Sequence, residues 1–169
     1  MGIAAFFGMF AGIYHWFPRM YGRFMNHTLG VVHFWGTMIG AYAIFWPMHY
    51  MGMAGVPRRY YTFSNFDAFN QFTQMNQFIT VAAIIVFGLQ ILFVINFFYS
   101  IWNGKKQKEM NPYKANTLEW TAPVNAGHGN WPGAIPHVHR WAYDYGKDGR
   151  EWIPQTEPLK PGERDMGEH

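Results

Sequence analysis

The chain has 169 residues, no cysteine and a net charge of +3, from 13 lysines and arginines against 10 acids. So small and dispersed a charge does not argue for nucleic acid, and the lack of thiols excludes a disulfide scaffold and a thiolate metal site. Residues 1–102 hold only five charged side chains (Arg19, Arg23, Arg58, Arg59 and Asp67), whereas 103–169 hold the other 18 and seven of the ten prolines. A water-soluble domain has roughly a quarter of its residues charged, so the first part is not an ordinary globular domain.

The expected class is all-α and integral to a membrane. Three uncharged apolar runs predict spans at about 2–17, 29–53 and 75–102. At 1.5 Å per residue they would reach about 24, 37 and 42 Å. A hydrocarbon core is about 30 Å thick, so the first span is incomplete. It shows neither the basic n-region nor the cleavage site of a signal peptide. We therefore expect either a fragment or a helix completed by another polypeptide. Ala4, Gly8 and Gly12 repeat every four residues, as do Gly36 and Gly40, and such stripes let helix backbones approach closely in lipid. Polar residues recur inside the spans: His33, Thr37 and His49 in the second, Thr80, Gln90 and Asn96 in the third. Each is costly against lipid tails, so a larger helical bundle is implied.

Arg19 and Arg23 follow the first span, and Lys105, Lys106 and Lys108 follow the third. Three spans put both groups on one side, which the positive-inside rule makes cytoplasmic. The segment 103–169 is expected to be an irregular, aromatic-rich cytoplasmic tail. Its Trp120, Trp131, Trp141 and Trp152 suit an extended strap docked on a partner. Pro47 is expected to bend the second span.

Few residues suggest chemistry. His137 and His139 form an H-x-H pair in the polar tail and read as surface histidines. His15, His33 and His49 lie 18 and 16 residues apart, with no i, i+4 pair to give two ligands on one helical face. A buried histidine bonded to a neighbouring helix is the better reading of these three. Asp67 is the only acid before residue 103, so no acid–base pair can be assembled there. It is expected to cap a helix or to bond Arg58 or Arg59. The strongest feature is Arg58–Arg59 itself, after Gly55-Val56-Pro57 and before Tyr60 and Tyr61. Guanidinium forks bind carboxylates bidentately. Two anionic partners stand open on physical grounds, lipid headgroups and haem propionates.

At these residues a family resemblance appears. The run HWFPRMYG at 15–22 and HFWGTMIGAYAIFWPMHYMGMAGVPRRYY at 33–61 resemble subunit I of the bacterial haem–copper cytochrome c oxidases. The pattern falls on His33, Phe34, Phe45, Pro47, His49, Gly52, Gly55, Pro57, Arg58, Arg59 and Tyr60, and NPYKANTLEWT at 111–121 resembles the segment after the last helix. The resemblance implies the C-terminal portion of a 12-helix bundle, completing its tenth helix and supplying the eleventh and twelfth. It implies that Arg58 and Arg59 contact the propionates of haem a and haem a3. It also implies that neither iron nor copper is ligated by this chain, because the family's ligands lie on earlier segments. The implied partners are the remainder of subunit I, subunits II and III, cytochrome c as electron donor, and lipid of a bacterial inner membrane. The implied activity is proton-pumping reduction of oxygen by the whole complex, not by this chain alone. Around Asp67 the sequence departs from the family, since the loop after Tyr60 is about two residues longer. The alternative reading is a non-catalytic accessory or assembly subunit, with the arginine pair on anionic lipid.

Overall fold

The computed structural model describes residues 2–57, 59–62, 66–125, 127–146 and 149–163. Along the chain these form α1 (Gly2–Tyr21), β1 (Arg23–Phe24), α2 (His27–Met53), a 3-10 stretch (Asp67–Phe72), α3 (Thr73–Asn103), β2 (Lys105–Lys106) and a second 3-10 stretch (Leu118–Thr121). The apolar runs read from the sequence lie inside the three helices. The segments His27–Met53 and Asp67–Asn103 are long and apolar enough to cross a membrane.

Residues divide into two compact units, Met1–Ile3 with Asn26–Trp102, and Ala4–Met25 with Asn103–His169. The first unit is built on α2 and α3. Asn26 caps α2, its side chain accepting from the Leu29 amide; an Asn at this position satisfies one of the helix's orphan N–H donors. The two helices run antiparallel, as their contacts show. Near the start of α2, the Asn26 amide donates to Asn96 Oδ1 at 3.0 Å and Asn96 Nδ2 donates back to Asn26 O at 3.1 Å. Further along, His33 Nε2 lies 3.1 Å from Gln90 Oε1, and Gln90 Nε2 donates to Thr37 Oγ1 at 3.1 Å. Asn96, Ser100 and His33 are buried, at 0, 0 and 2% exposure. An unpartnered polar group in hydrocarbon costs several kcal/mol, so these reciprocal bonds fix which faces of α2 and α3 meet.

Small residues permit that approach. A Cβ at Gly36 would sit 2.6 Å from Leu89 Cδ1, and one at Gly40 would overlap Val86. The Gly8–Gly12 stripe differs: nothing lies within 4 Å of a Cβ at Gly8, and Gly12 meets only Trp16 of its own helix. Leucine at Gly40 is expected to cost about 1–3 kcal/mol through overpacking. Thermal unfolding of the assembled protein would read this loss, and an unchanged transition would show that the glycine is not needed for close packing.

Many other apolar side chains of α2 and α3 are exposed in this chain, including Trp35, Ile39, Trp46, Ile84 and Phe87, each more than half exposed. α2 continues as helix through Pro47. Asp67 is exposed and opens the 3-10 stretch, whose cap position is Phe66 with no side-chain cap bond. The capping role expected of Asp67 is therefore not realised, and it makes no ion pair with Arg59. Its relation to Arg58 lies outside the described residues.

The second unit joins α1, from Ala4 onward, to the C-terminal segment. Aromatic clusters are not confined to this segment, since Phe6–Phe10 and Phe93–Phe97 also pair along the helices. Of the four tail tryptophans only Trp120 is buried, at 2% exposure. His15 stacks on Tyr113 with ring centroids 5.0 Å apart and meets the edge of Trp120 at 5.2 Å. Arg19 lies 5.1 Å from the Trp120 ring, donates to Met110 O at 3.1 Å and also donates to Ala122 O. The tail thus has an anchor within its own chain, at the end of α1. A second cluster surrounds Arg140, whose side chain is fully buried and salt-bridged to Asp144 at 3.3 Å and to Glu163. Those carboxylates, through their hydrogen bonds, raise the Arg140 guanidinium above its ordinary pKa. Asn116, also fully buried, accepts from the Ile153 amide through Oδ1 at 2.8 Å.

Candidate cofactor-binding loop

The loop that follows α2 owes its position to a defined helix stop. Ala54 closes the helix, and Gly55 adopts φ +91°, a conformation that costs a residue without Cβ little. The Gly55 amide donates to Gly52 O at 3.1 Å and the Val56 amide to Met51 O at 3.1 Å. This pair of bonds is a Schellman motif, which satisfies carbonyls that the helix end would otherwise leave open. Pro57 then follows and cannot continue the helix. The sequence Gly-Val-Pro therefore ends α2 a few residues before Arg59.

Arg59 is exposed and has φ +60°. A left-handed backbone is uncommon for a residue with a side chain and is often associated with a functional constraint. Among the described residues no carboxylate lies within ion-pair distance of Arg59. Tyr60 and Tyr61 follow it, at 40 and 99% exposure. Arg58 lies outside the described residues. A guanidinium with five donors and no carboxylate partner among the described residues suits an external carboxylate or phosphate, so the donor set fits a propionate.

The histidines separate by environment. His33 is bonded to Gln90 of α3, as expected of a buried histidine, and its ring lies 5.3 Å from that of Phe93. His15 is exposed and makes ring contacts with Tyr113 and Trp120 rather than a bond to a neighbouring helix, so the buried, bonded reading fails for it. His49 is also exposed, and that reading fails for it as well within this chain. The His137 and His139 rings lie 6.2 Å apart and both residues are exposed. Among the described residues no three histidines, aspartates or glutamates are grouped to hold a metal.

The sequence reading missed the buried polar residues Arg140, Asp144 and Asn116. Their only sequence signal was polarity within an aromatic-rich stretch, which does not tell a buried group from a solvated one.

The family model described as Cytochrome C and Quinol oxidase polypeptide I matches residues 1–85. The chain belongs to that family. Among the oxidase relatives, the alternative cytochrome c oxidase subunit 1 of Bradyrhizobium diazoefficiens is 43% identical over 167 residues, covering 96% of this chain and 28% of that protein. Cytochrome c oxidase subunit 1 of Thermostichus vulcanus is 40% identical over 146 residues, covering 86% and 25%. That of Synechocystis is 42% identical over 115 residues, covering 68% and 20%. The chain spans about a quarter of the length of the curated relatives it matches. The family match extends through α1, α2 and the arginine loop into the first half of α3, so the loop described above is part of the oxidase polypeptide I homology.

Proposed function

We propose that this chain is the C-terminal part of subunit I of a proton-pumping terminal oxidase, which passes electrons from cytochrome c to oxygen. In this reading α1, α2 and α3 are the last helices of a 12-helix bundle in a bacterial inner membrane. The remainder of subunit I covers their exposed apolar faces, subunits II and III complete the complex, and the tail faces the cytoplasm. The three relatives named as cytochrome c oxidase subunits support cytochrome c over quinol as donor. The observation that carries the reading is an exposed Arg59, without a counter-ion among the described residues, held just beyond the Schellman stop of α2 inside the matched region.

Arg58 and Arg59 bind the propionates of haem a and haem a3. When bound, the haems supply one-electron redox chemistry, with copper held by other parts of the complex. The arginines orient the propionate carboxylates through bidentate hydrogen bonds and neutralise their charge. They also set an electrostatic field. A cation favours the reduced state, because an added electron is more stable near positive charge. At an effective dielectric of about 20 and a separation of roughly 8–10 Å, one charge contributes about 2 kcal/mol. For one electron this corresponds to roughly 90 mV.

Replacing Arg59 or Arg58 by glutamine in the assembled complex is therefore expected to lower a haem midpoint potential and slow electron delivery, while haem is still inserted. Lysine should restore part of the shift, since it keeps the charge but loses the fork. Redox titration followed by haem absorbance is the measurement. Unchanged potentials and turnover in both glutamine variants would remove the propionate role.

A further inference from the structure

The two short strands form a basic ribbon whose charges no carboxylate among the described residues balances. β1 begins two residues after the end of α1, where Gly22 at φ +65° reverses the chain, and β2 begins two residues after the end of α3. The strands pair antiparallel, with Arg23 opposite Lys106 and Phe24 opposite Lys105. The Gln107 amide donates to Gly22 O at 2.8 Å, and Arg23 Nη1 donates to Gly104 O at 2.8 Å, so the ribbon is pinned on both sides. Lys105, Lys106 and Lys108 are exposed.

Directly opposed like charges destabilise a strand pair, yet Arg23 and Lys106 face each other. Among the described residues, no carboxylate lies within ion-pair distance of Arg23, Lys105, Lys106 or Lys108. The adjacent acid, Glu109, is exposed, and its field acts on Lys114. Two cations on one face of a fixed ribbon, with no carboxylate among the described residues against them, suit an external anion. Depth identifies its source. Lys105 comes three residues after Trp102, and the last turns of α3 expose Trp102 at 65% and Tyr99 at 50%. Exposed Trp and Tyr at the end of an apolar span mark the headgroup level of a bilayer, and lysines just beyond such a span meet anionic headgroups.

We infer that the ribbon is a binding site for an anionic phospholipid, with one headgroup phosphate held between Arg23 and Lys106 and with Lys105 and Lys108 adding to its field. Its residues are not those of the arginine loop after α2, and it takes a different ligand.

The test uses the parent complex in phosphatidylcholine bilayers containing spin-labelled phosphatidylglycerol, with spin-labelled phosphatidylcholine as reference. The relative association constant is read from the immobilised component of the spectrum. Removing a lysine near the surface is expected to weaken the phosphatidylglycerol preference about fivefold, so Lys105→Gln with Lys106→Gln should weaken it roughly 25-fold. Lys105→Arg with Lys106→Arg should keep it, as the charge is retained. Arg23 is left intact because it also pins the ribbon. If the glutamine pair prevents assembly, Lys106→Gln alone and a salt titration of the unsubstituted complex carry the test. The preference should fall as salt rises, since exposed charges are screened. An undiminished preference in the glutamine variants, or one insensitive to salt, would overturn the assignment.

Discussion

Truncating Trp120 to alanine is expected to destabilise the second unit by about 3–5 kcal/mol, the usual cost of deleting a large buried aromatic. The side chain is 2% exposed and touches three partners. The His15 and Tyr113 rings lie edge-on at 5.2 and 4.9 Å, and the Arg19 guanidinium lies 5.1 Å from the ring centroid. Aromatic pairs and cation–π contacts each add about 0.5–1.5 kcal/mol beyond area burial. Losing this anchor should release the Asn111–Thr121 stretch from the end of α1. Limited proteolysis of the assembled complex is the direct readout, with cleavage within 111–155 accelerated in Trp120→Ala and much less so in Trp120→Phe. Equal resistance in all three proteins would mean that other contacts hold the tail.

Replacing Arg140 by leucine should cost a similar amount, about 3–5 kcal/mol, for a different reason. The loss is electrostatic. Arg140 Nε donates to Glu157 O at 2.9 Å, Nη2 to Pro158 O at 3.0 Å and Nη1 to Asp144 Oδ2 at 3.3 Å. Leucine takes the guanidinium away from two carboxylates, Asp144 and Glu163, whose side chains are 3 and 13% exposed, and leaves two carbonyls without this donor. Lysine should rescue only partly, because one ammonium cannot reach the same set of acceptors. The double variant Arg140→Leu with Asp144→Leu should be more stable than the single one, since it also removes one of the two carboxylates that lost this partner. A double-mutant cycle on thermal unfolding separates this coupling from lost packing. Additive losses would show that the pair is not a coupled unit.

The periodic, one-dimensional features of the fold were legible in the sequence. Uncharged runs of about 25 residues have few alternatives to long helices, and α2 and α3 contain the runs 29–53 and 75–102. The Gly36–Gly40 stripe was readable as a close-approach surface, because spacing by four puts both glycines on one helix face. The same spacing at Gly8 and Gly12 met no second helix among the described residues, since a stripe specifies compatibility with a neighbour and not its presence. Partners distant in sequence were not legible. Asn96 reaches Asn26 across 70 positions and Lys114 reaches Glu151 across 37, and no local pattern encodes such pairings. Asp67 shows the limit for isolated charges, because its type suited a cap that the backbone placed at Phe66. For the candidate site, residue type and the helix stop were visible in Gly-Val-Pro-Arg-Arg. The left-handed backbone of Arg59 was not, as arginine rarely adopts it.

Asn26 and Gly55 bracket α2 with stops that depend on backbone hydrogen bonds. The helix between them therefore works as a ruler. Adding or deleting one residue would move the arginine loop by about 1.5 Å along the axis and swing it by roughly 100° around it. Side chains of α2 can change under such a constraint, but its count of residues cannot. Length, more than composition, is the quantity this helix transmits to the loop.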